Sequence, residues 1–227
     1  MTTTEQDAQQ PERGLRALPE LADGRASVRL RAAMAIGSAP DPRYVEKLVE
    51  RCAIEPDFSV REMLTWALIR HSASATVPRL VDELRSERPQ ARSQALHTLS
   101  KIGERQAWPA ITRELLSDSD DEVARTAWRA AVALVPEGEE SHLAGVLATQ
   151  LGRGERETRL SLSRALIALG EAASATLRKA MTDLDPRVRH HAIATERLLR
   201  DPDAGFDFAI EEAKRIAALQ DSPVGGA

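Results

Sequence analysis

Histidine and cysteine are two of the residue types that could bind a metal ion, and cysteine can also act as a nucleophile. A metal site on a helix places two ligands four residues apart, so that both lie on one face. His190 and His191 are adjacent, about 100° apart around a helix, and we expect them on a solvated helix face. His97 stands alone and is predicted to be a binding contact, not a ligand. We therefore predict no metal and no other cofactor.

Cys52 is the only cysteine of the chain, which excludes an internal disulfide and a multi-cysteine zinc site. A lone cysteine is typical of a protein in a reducing compartment. Cys52 continues the helical apolar pattern of Val45, Leu48 and Val49. We expect its thiol to pack inertly in the core.

Phosphate binding and nucleophilic catalysis find little support in the sequence. The stretch LGRGERE at 151–157 has two glycines near basic residues. It lacks the lysine and the serine or threonine of a phosphate-binding loop, and it follows a helical pattern, so we predict a helix end and a turn. The sequence does not allow us to assign a serine, a histidine and an acid to one face of neighbouring repeats. We expect the protein not to be an enzyme.

Two tryptophans near arginines indicate binding. Trp66 lies in PDFSVREMLTWAL (56–68), and Trp128 lies in EVARTAWRAAVAL (122–134). An exposed tryptophan beside arginine is the composition of binding hot spots, because the rigid indole gains contact area at little cost in entropy. Whether the two indoles are exposed depends on the elements that carry them.

The composition predicts that these elements are helices. Hydrophobic residues make up 42% of the chain and aromatic residues only 3%, and runs of β-branched residues are scarce, which argues against a sheet. The sequence has no signal-peptide pattern at its start and no stretch of about 18 apolar residues. We expect a soluble cytoplasmic protein without membrane contact. The excess of arginine over lysine, with abundant alanine, is typical of a GC-rich bacterial genome.

An internal repeat organises the helices. Six segments share an amphipathic pattern, and their anchor residues are Val28, Val60, Ala91, Val123, Thr158 and Val188, separated by 32, 31, 32, 35 and 30 positions. Each segment is predicted to be the second helix of a hairpin, at 26–36, 58–71, 89–101, 121–134, 155–168 and 186–199. First helices are predicted at 42–53, 77–86, 108–117, 141–151 and 175–184. Asp57, 117–122 and 183–186 are predicted to form turns and N-caps.

The turn acid followed by VR..A, clearest in DLDPRVRHHA (183–192), resembles the HEAT family of repeats over about residues 15–219. The resemblance implies an all-α fold, a right-handed α-solenoid of about six HEAT-like helical hairpins with a C-terminal cap helix at 204–219. Residues 14–219 would form this single solenoid. The tails 1–13 and 220–227 are expected to be disordered.

The repeat phase predicts which side chains face a partner. With the anchor as position zero, positions zero, four, seven and eleven face the paired first helix. Positions two, five, six and nine point away from it, and second helices line the concave surface in HEAT-like solenoids. Burial between adjacent second helices is the alternative for both indoles, and Trp108 is predicted to pack near a turn. The predicted partner contacts are Met34, Trp66, Ile69, His97, Arg125, Trp128, Arg129, Arg164 and His190.

Position one carries an arginine ladder. Ala124 breaks the series, and Arg125 follows one place later. In HEAT proteins such arginines pair with turn acids of an adjacent repeat, so the resemblance implies a structural role with Asp57, Asp118 or Asp120, and Asp185. The predicted ladder consists of Arg29, Arg61, Arg92, Arg159 and Arg189.

The charge distribution is uneven. The chain carries a net charge of −4, which disfavours general polyanion binding. The predicted second helices hold 14 Lys and Arg against 6 Asp and Glu, a net +8, so the remainder carries −12. A basic face within an acidic protein would attract an acidic protein segment or a phosphate backbone.

The leading hypothesis is a non-catalytic HEAT-repeat scaffold or adaptor that binds a protein or peptide in its concave groove, with arginines selecting acidic flanks. The alternative is a nucleic-acid-binding protein or a HEAT-like alkylpurine DNA glycosylase, for which Glu62 beside Trp66 is the candidate carboxylate. Deoxyhypusine hydroxylases bind iron through His-Glu pairs, and no histidine here is followed by glutamate. A regulatory subunit acting through its convex face remains a third hypothesis.

Overall fold

The structure, a computed structural model, describes residues 14–201 together with Ile210 and Lys214. Every regular element in this part of the chain is helical, which confirms the all-α prediction. The predicted tails and most of the predicted cap helix at 204–219 lie outside the described residues. Ile210 is helical and packs against the buried Ile193, Ala194 and Leu198. Handedness and hairpin number stay predictions.

The chain divides into two compact units, with the boundary between Ala110 and Ile111. Unit 1 contains the helices α1 (Ala26–Ser38), α2 (Val45–Cys52), α3 (Phe58–Arg70), α4 (Ala73–Glu83) and α5 (Pro89–Ile102), and short 3-10 helices at Pro19–Ala22, Pro42–Tyr44 and Arg105–Ala110. The second helices α1, α3 and α5 pack side by side in one layer. The first helices α2 and α4 form the other layer, each paired with the helix that follows it.

Unit 2 has the same two-layer arrangement. It contains α6 (Arg113–Leu116), α7 (Asp121–Leu134), α8 (Glu140–Ala148), α9 (Arg156–Ala168), α10 (Glu171–Ala180) and α11 (Pro186–Arg200). The second helices α7, α9 and α11 lie side by side, and α8 and α10 pack together in the first-helix layer.

The second helices begin and end within two residues of the predicted bounds. Local capping explains this agreement: the Asp57 carboxylate accepts a hydrogen bond from the Val60 N–H, and the Asp120 carboxylate accepts one from the Val123 N–H. Asp185 caps α11 in the same way. Each carboxylate satisfies an amide that lacks a partner in the first helical turn, so the predicted N-caps are confirmed.

The first helices depart more from prediction. Helix α4 begins four residues before the predicted start, so Pro78 lies inside the helix instead of in its first turn. The predicted helix 108–117 is divided into the 3-10 helix Arg105–Ala110 and the single turn α6. Pro109 has no N–H to donate, and Thr112 is extended, with ψ 165°. The backbone therefore cannot continue as one α-helix.

A buried ion network ties α1, the end of α2 and the turn before α3 together. Glu55 is fully buried and accepts hydrogen bonds from Arg29 Nη2 at 2.6 Å, Arg51 Nε at 2.8 Å and the Asp57 N–H at 2.9 Å. Burial alone would raise the pKa of Glu55, but these hydrogen bonds outweigh it and lower the pKa to about 2. Cys52 is buried nearby, and burial raises the pKa of its thiol to about 12, as expected for an inert core cysteine.

We expect Glu55→Ala to destabilise the protein by about 3 kcal/mol, because removing one partner leaves the buried Arg29 guanidinium without its counter-ion. Urea denaturation followed by circular dichroism measures this change. Glu50→Ala is the matched control, since it breaks the exposed pair with Lys47 at 2.7 Å and should leave the denaturation midpoint unchanged. Equal effects of the two substitutions would contradict a structural role for the network.

Candidate binding surfaces

The repeat positions differ sharply in exposure. Position six is exposed or half-buried in the first five second helices and buried only at Ala194. Position five is buried in all six second helices. The buried position-five residues are Ala33, Thr65, Leu96, Trp128, Ser163 and Ile193. Position six therefore faces outward, whereas position five belongs to the packed interior.

Trp128 is one of these buried residues, so the prediction that it contacts a partner is wrong. Its indole is fully buried, and its Nε1–H donates to the Leu116 carbonyl at 2.8 Å. Leu116 is the last residue of α6, and a single-turn helix leaves its terminal carbonyls without helical partners. The indole N–H satisfies one of these carbonyls, which places the ring in the core.

Unit 1 carries an exposed apolar surface on α1 and α3. Met34, Trp66 and Ile69, which we call the apolar surface, are 45%, 38% and 40% exposed. Ile69 follows Trp66 by three residues and Met34 precedes Gly37 by three, spacings that make helix-surface neighbours. The Trp66 ring meets α1 at Gly37, so the three side chains lie on one continuous face.

The absence of a side chain at Gly37 leaves room for the Trp66 ring. A Cβ on Gly37 would lie 2.4 Å from Cζ3 of the indole and 2.8 Å from the Cα of Ala67. The missing side chain thus allows close approach of α1 and α3. The Arg70 guanidinium carbon lies 5.8 Å from the centre of the Trp66 ring, within the range of cation–π attraction.

Glu62 and His97 adjoin this surface on α3 and α5. Their side chains approach to 3.4 Å between Oε1 and Nε2. His97 is half-buried and Glu62 is exposed. The carboxylate that the glycosylase alternative requires thus lies beside a predicted partner contact, one helical turn from Trp66.

Unit 2 presents basic side chains at the corresponding positions. Arg129 and Arg164, at position six of α7 and α9, are exposed, and Arg125 and His190, at position two of α7 and α11, are half-buried. Glu122 approaches Arg125 at 3.6 Å and Arg129 at 3.7 Å. These distances exceed those of strong charge-assisted hydrogen bonds, so the face keeps a positive character.

The arginine ladder is structural at four of its five predicted members, but most of its acceptors differ from prediction. Each of the four guanidinium groups donates to a backbone carbonyl in the turn that precedes its own helix, at 2.8–3.2 Å. These bonds join Arg29 to Asp23 and Gly24, Arg61 to Glu55 and Pro56, Arg92 to Ser86 and Glu87, and Arg189 to Asp183. Arg29 also reaches an acid of the next turn, Glu55, instead of Asp57.

The loop between α8 and α9 supplies the guanidinium that Ala124 cannot. Arg153 donates to the carbonyl of Asp118, six residues before Ala124, and to Oδ1 of Asp121 at 2.8 Å. The loop at 151–157 is thus a turn, as predicted, and it also completes the preceding repeat.

Arg159 does not join the ladder, contrary to prediction. Within the described part of the chain, its guanidinium makes no hydrogen bond or ion pair. The residues five and six positions before it are Gly154, with φ 67°, and Arg153, which is bound to the previous turn. The local backbone therefore does not repeat the geometry that receives the other ladder arginines.

His191 is buried, so the prediction of a solvated face is wrong for this residue. Nδ1 accepts a hydrogen bond from the Gly152 N–H at 3.0 Å, and Nε2 lies 3.0 Å from both the Ser163 hydroxyl and the Arg159 carbonyl. These partners assign the neutral tautomer with hydrogen on Nε2. Burial lowers the pKa of His191 to about 4, although the bond to the Arg159 carbonyl acts in the opposite direction.

Among residues 14–201 with 210 and 214, no group of three His, Cys, Asp or Glu side chains is placed to hold a metal ion. Within the same residues, no helix combines the length and apolar character needed to span a bilayer.

Comparison with known families gives a match to HEAT repeats over residues 46–134. This segment runs from α2 to the end of α7. Among proteins with curated descriptions, none matches the chain.

We expect Gly37→Ala to destabilise the protein by about 1–3 kcal/mol, because the new methyl group overpacks the contact of α1 with Trp66 and Ala67. Thermal denaturation measures the effect. Gly145→Ala in α8 is the matched control: a Cβ there meets no atom within 4 Å, so higher helix propensity should slightly raise the melting temperature. A higher melting temperature of Gly37→Ala would contradict the close contact of the Trp66 indole with Gly37.

We expect the stability of the protein to fall as pH decreases from about 6.5 towards 4. The unfolded chain protonates His191 near its ordinary pKa of 6.5, whereas the folded chain keeps it neutral, so protons favour unfolding by up to about 3 kcal/mol. Urea midpoints at pH 7.5 and pH 4.5 measure the loss. Relative to wild type, His191→Asn should flatten this dependence and His142→Asn, at an exposed position, should not.

Proposed function

Because residues 46–134 match HEAT repeats, we propose that the protein is a non-catalytic scaffold or adaptor whose second helices bind a protein or peptide partner. HEAT repeats commonly mediate protein interactions. The observation that carries the proposal is the apolar surface of unit 1, where Met34, Trp66 and Ile69 are each about two-fifths exposed. Contiguous exposed apolar side chains usually mark an interaction site.

The energetics of the apolar surface favour binding. Tryptophan is enriched among the residues that contribute most to protein interfaces. The Trp66 ring is held against Gly37 on one side and lies near Arg70 on another, so a partner would lose little side-chain entropy in ordering it. Met34 adds a flexible apolar side chain that adapts to the partner's shape.

Trp128 bears on the choice between a protein and a nucleic acid. Binding of single-stranded nucleic acid uses several exposed aromatic rings as stacking platforms, and one of the two candidate indoles is in the core. The net charge of −4 also opposes polyanion binding at long range. Both observations support a protein partner over the nucleic-acid alternative.

We expect Trp66→Ala to weaken capture of a partner at least about tenfold, because it removes the largest anchor of the apolar surface. Affinity capture from the native host, quantified by mass spectrometry, measures this loss. Phe58→Ala is the control, since Phe58 is an exposed apolar residue outside the apolar surface. Ile69→Lys repeats the test. Because Ile69 is exposed, we expect this substitution to have little effect on folding.

Retention of every captured protein at unchanged affinity by both Trp66→Ala and Ile69→Lys would contradict the proposed function. The glycosylase alternative has its own test, a base-release assay on alkylated DNA with Glu62→Gln as the control. Base release by the wild-type protein that this variant lacks would replace the adaptor proposal with an enzymatic one.

A further inference from the structure

The second-helix layer of unit 2 exposes arginines. Arg125 and Arg129 lie on α7, and Arg159 and Arg164 lie on α9; we call these four residues the arginine face. Helices α7 and α9 pack side by side, and all four side chains are exposed or half-buried. The sequence predicted three of them as partner contacts and Arg159 as a ladder residue.

The hydrogen bonding of the arginine face is incomplete. Within the described residues, Arg159 and Arg164 make no side-chain hydrogen bond or ion pair. Arg129 donates to the Thr126 hydroxyl at 2.8 Å, and the Nε–H of Arg125 has no acceptor. Guanidinium groups carry several N–H donors each, so most donors of this face have no acceptor among the described residues.

One carboxylate opposes the charge of this face. Glu122 lies 3.6 Å from Arg125 and 3.7 Å from Arg129 and is itself exposed. An exposed pair at these distances contributes little free energy, so a ligand carboxylate can compete for both guanidinium groups. Arg153 of the same unit differs from these residues, because its guanidinium already donates hydrogen bonds to Asp118, Asp121 and Gln150.

We propose that the arginine face of unit 2 binds a carboxylate-rich segment of a partner protein. Arginine and carboxylate groups pair through two parallel hydrogen bonds, which adds geometric selectivity to charge attraction. The inference rests on the proposed function in assuming a protein partner, and it adds a second site with a different chemistry. The apolar surface selects apolar side chains, and the arginine face selects acidic ones.

The same face is poorly suited to a nucleic acid. Trp128 is the one Trp, Tyr or Phe among the described residues of unit 2, and it is fully buried. Within the described residues of unit 2, bases would therefore find no exposed Trp, Tyr or Phe ring on which to stack. The four arginines, offset in part by Glu122, would also neutralise few phosphates. A short run of glutamates or aspartates carries enough negative charge, on side chains long enough, to pair with these arginines.

Fluorescence anisotropy with a labelled decaglutamate peptide tests the proposal. The wild-type protein should bind the peptide, with an affinity that falls as salt is added. The double variant Arg129→Gln, Arg164→Gln should bind about tenfold more weakly, because it removes the two most exposed guanidinium groups. Circular dichroism melting confirms that the exposed substitutions leave the fold intact.

The matched control removes the same charge from the other layer of the same unit. Arg178 and Lys179 are exposed on α10, and Arg178→Gln, Lys179→Gln should weaken peptide binding less than about twofold. An equal loss in both double variants, no peptide binding by the wild type, or tighter binding of a single-stranded decanucleotide would each overturn the proposal. Trp66→Ala should not affect the peptide, so failure of this inference is distinguishable from failure of the apolar surface.

Discussion

The constraint on which the rest of the structure depends is the common rotation of the second helices, and four of them support it with a hydrogen bond from the position-one arginine to the turn before its own helix. A guanidinium that reaches back to Asp23 and Gly24, or to Glu55 and Pro56, fixes how the chain enters the second helix. Helix α9 keeps the same rotation without this bond, because Leu162, Ala165 and Leu166 are packed in the core. At this rotation position five is buried in all six second helices and position six faces outward in the first five, because side chains on a helix keep their angular order.

Much of the fold was predictable from sequence because it is locally determined. The carboxylates of Asp57 and Asp120 cap helices a few residues away, so the second helices follow from pattern and turn chemistry alone. The exposure of Met34, Trp66 and Ile69 also agrees with the repeat phase. A helical pattern gives the direction of a side chain, but it does not tell how closely neighbouring helices approach.

The remaining features depend on contacts that are distant in sequence or on local irregularities. Trp128 is buried because α6 ends beside it after a single turn, and Pro109 was the one visible signal of that irregularity. His191 depends on Gly152, 39 residues earlier, and nothing near His191 in sequence indicates this partner. Arg159 left the ladder because of the backbone at Gly154. In each case the repeat pattern describes the other repeats, and one repeat departs from it.

The loop that carries Arg153 makes neighbouring repeats of unit 2 mutually dependent. Arg153 completes the turn before α7, while Gly152 in the same loop donates its N–H to His191 on α11. Repeat proteins usually tolerate duplication or loss of whole modules, since each module carries its own contacts. Here the hairpin of α8 and α9 holds groups that belong to the hairpins on both sides. Evolution could lengthen such an array at other points, but recombination at this hairpin would damage three modules at once.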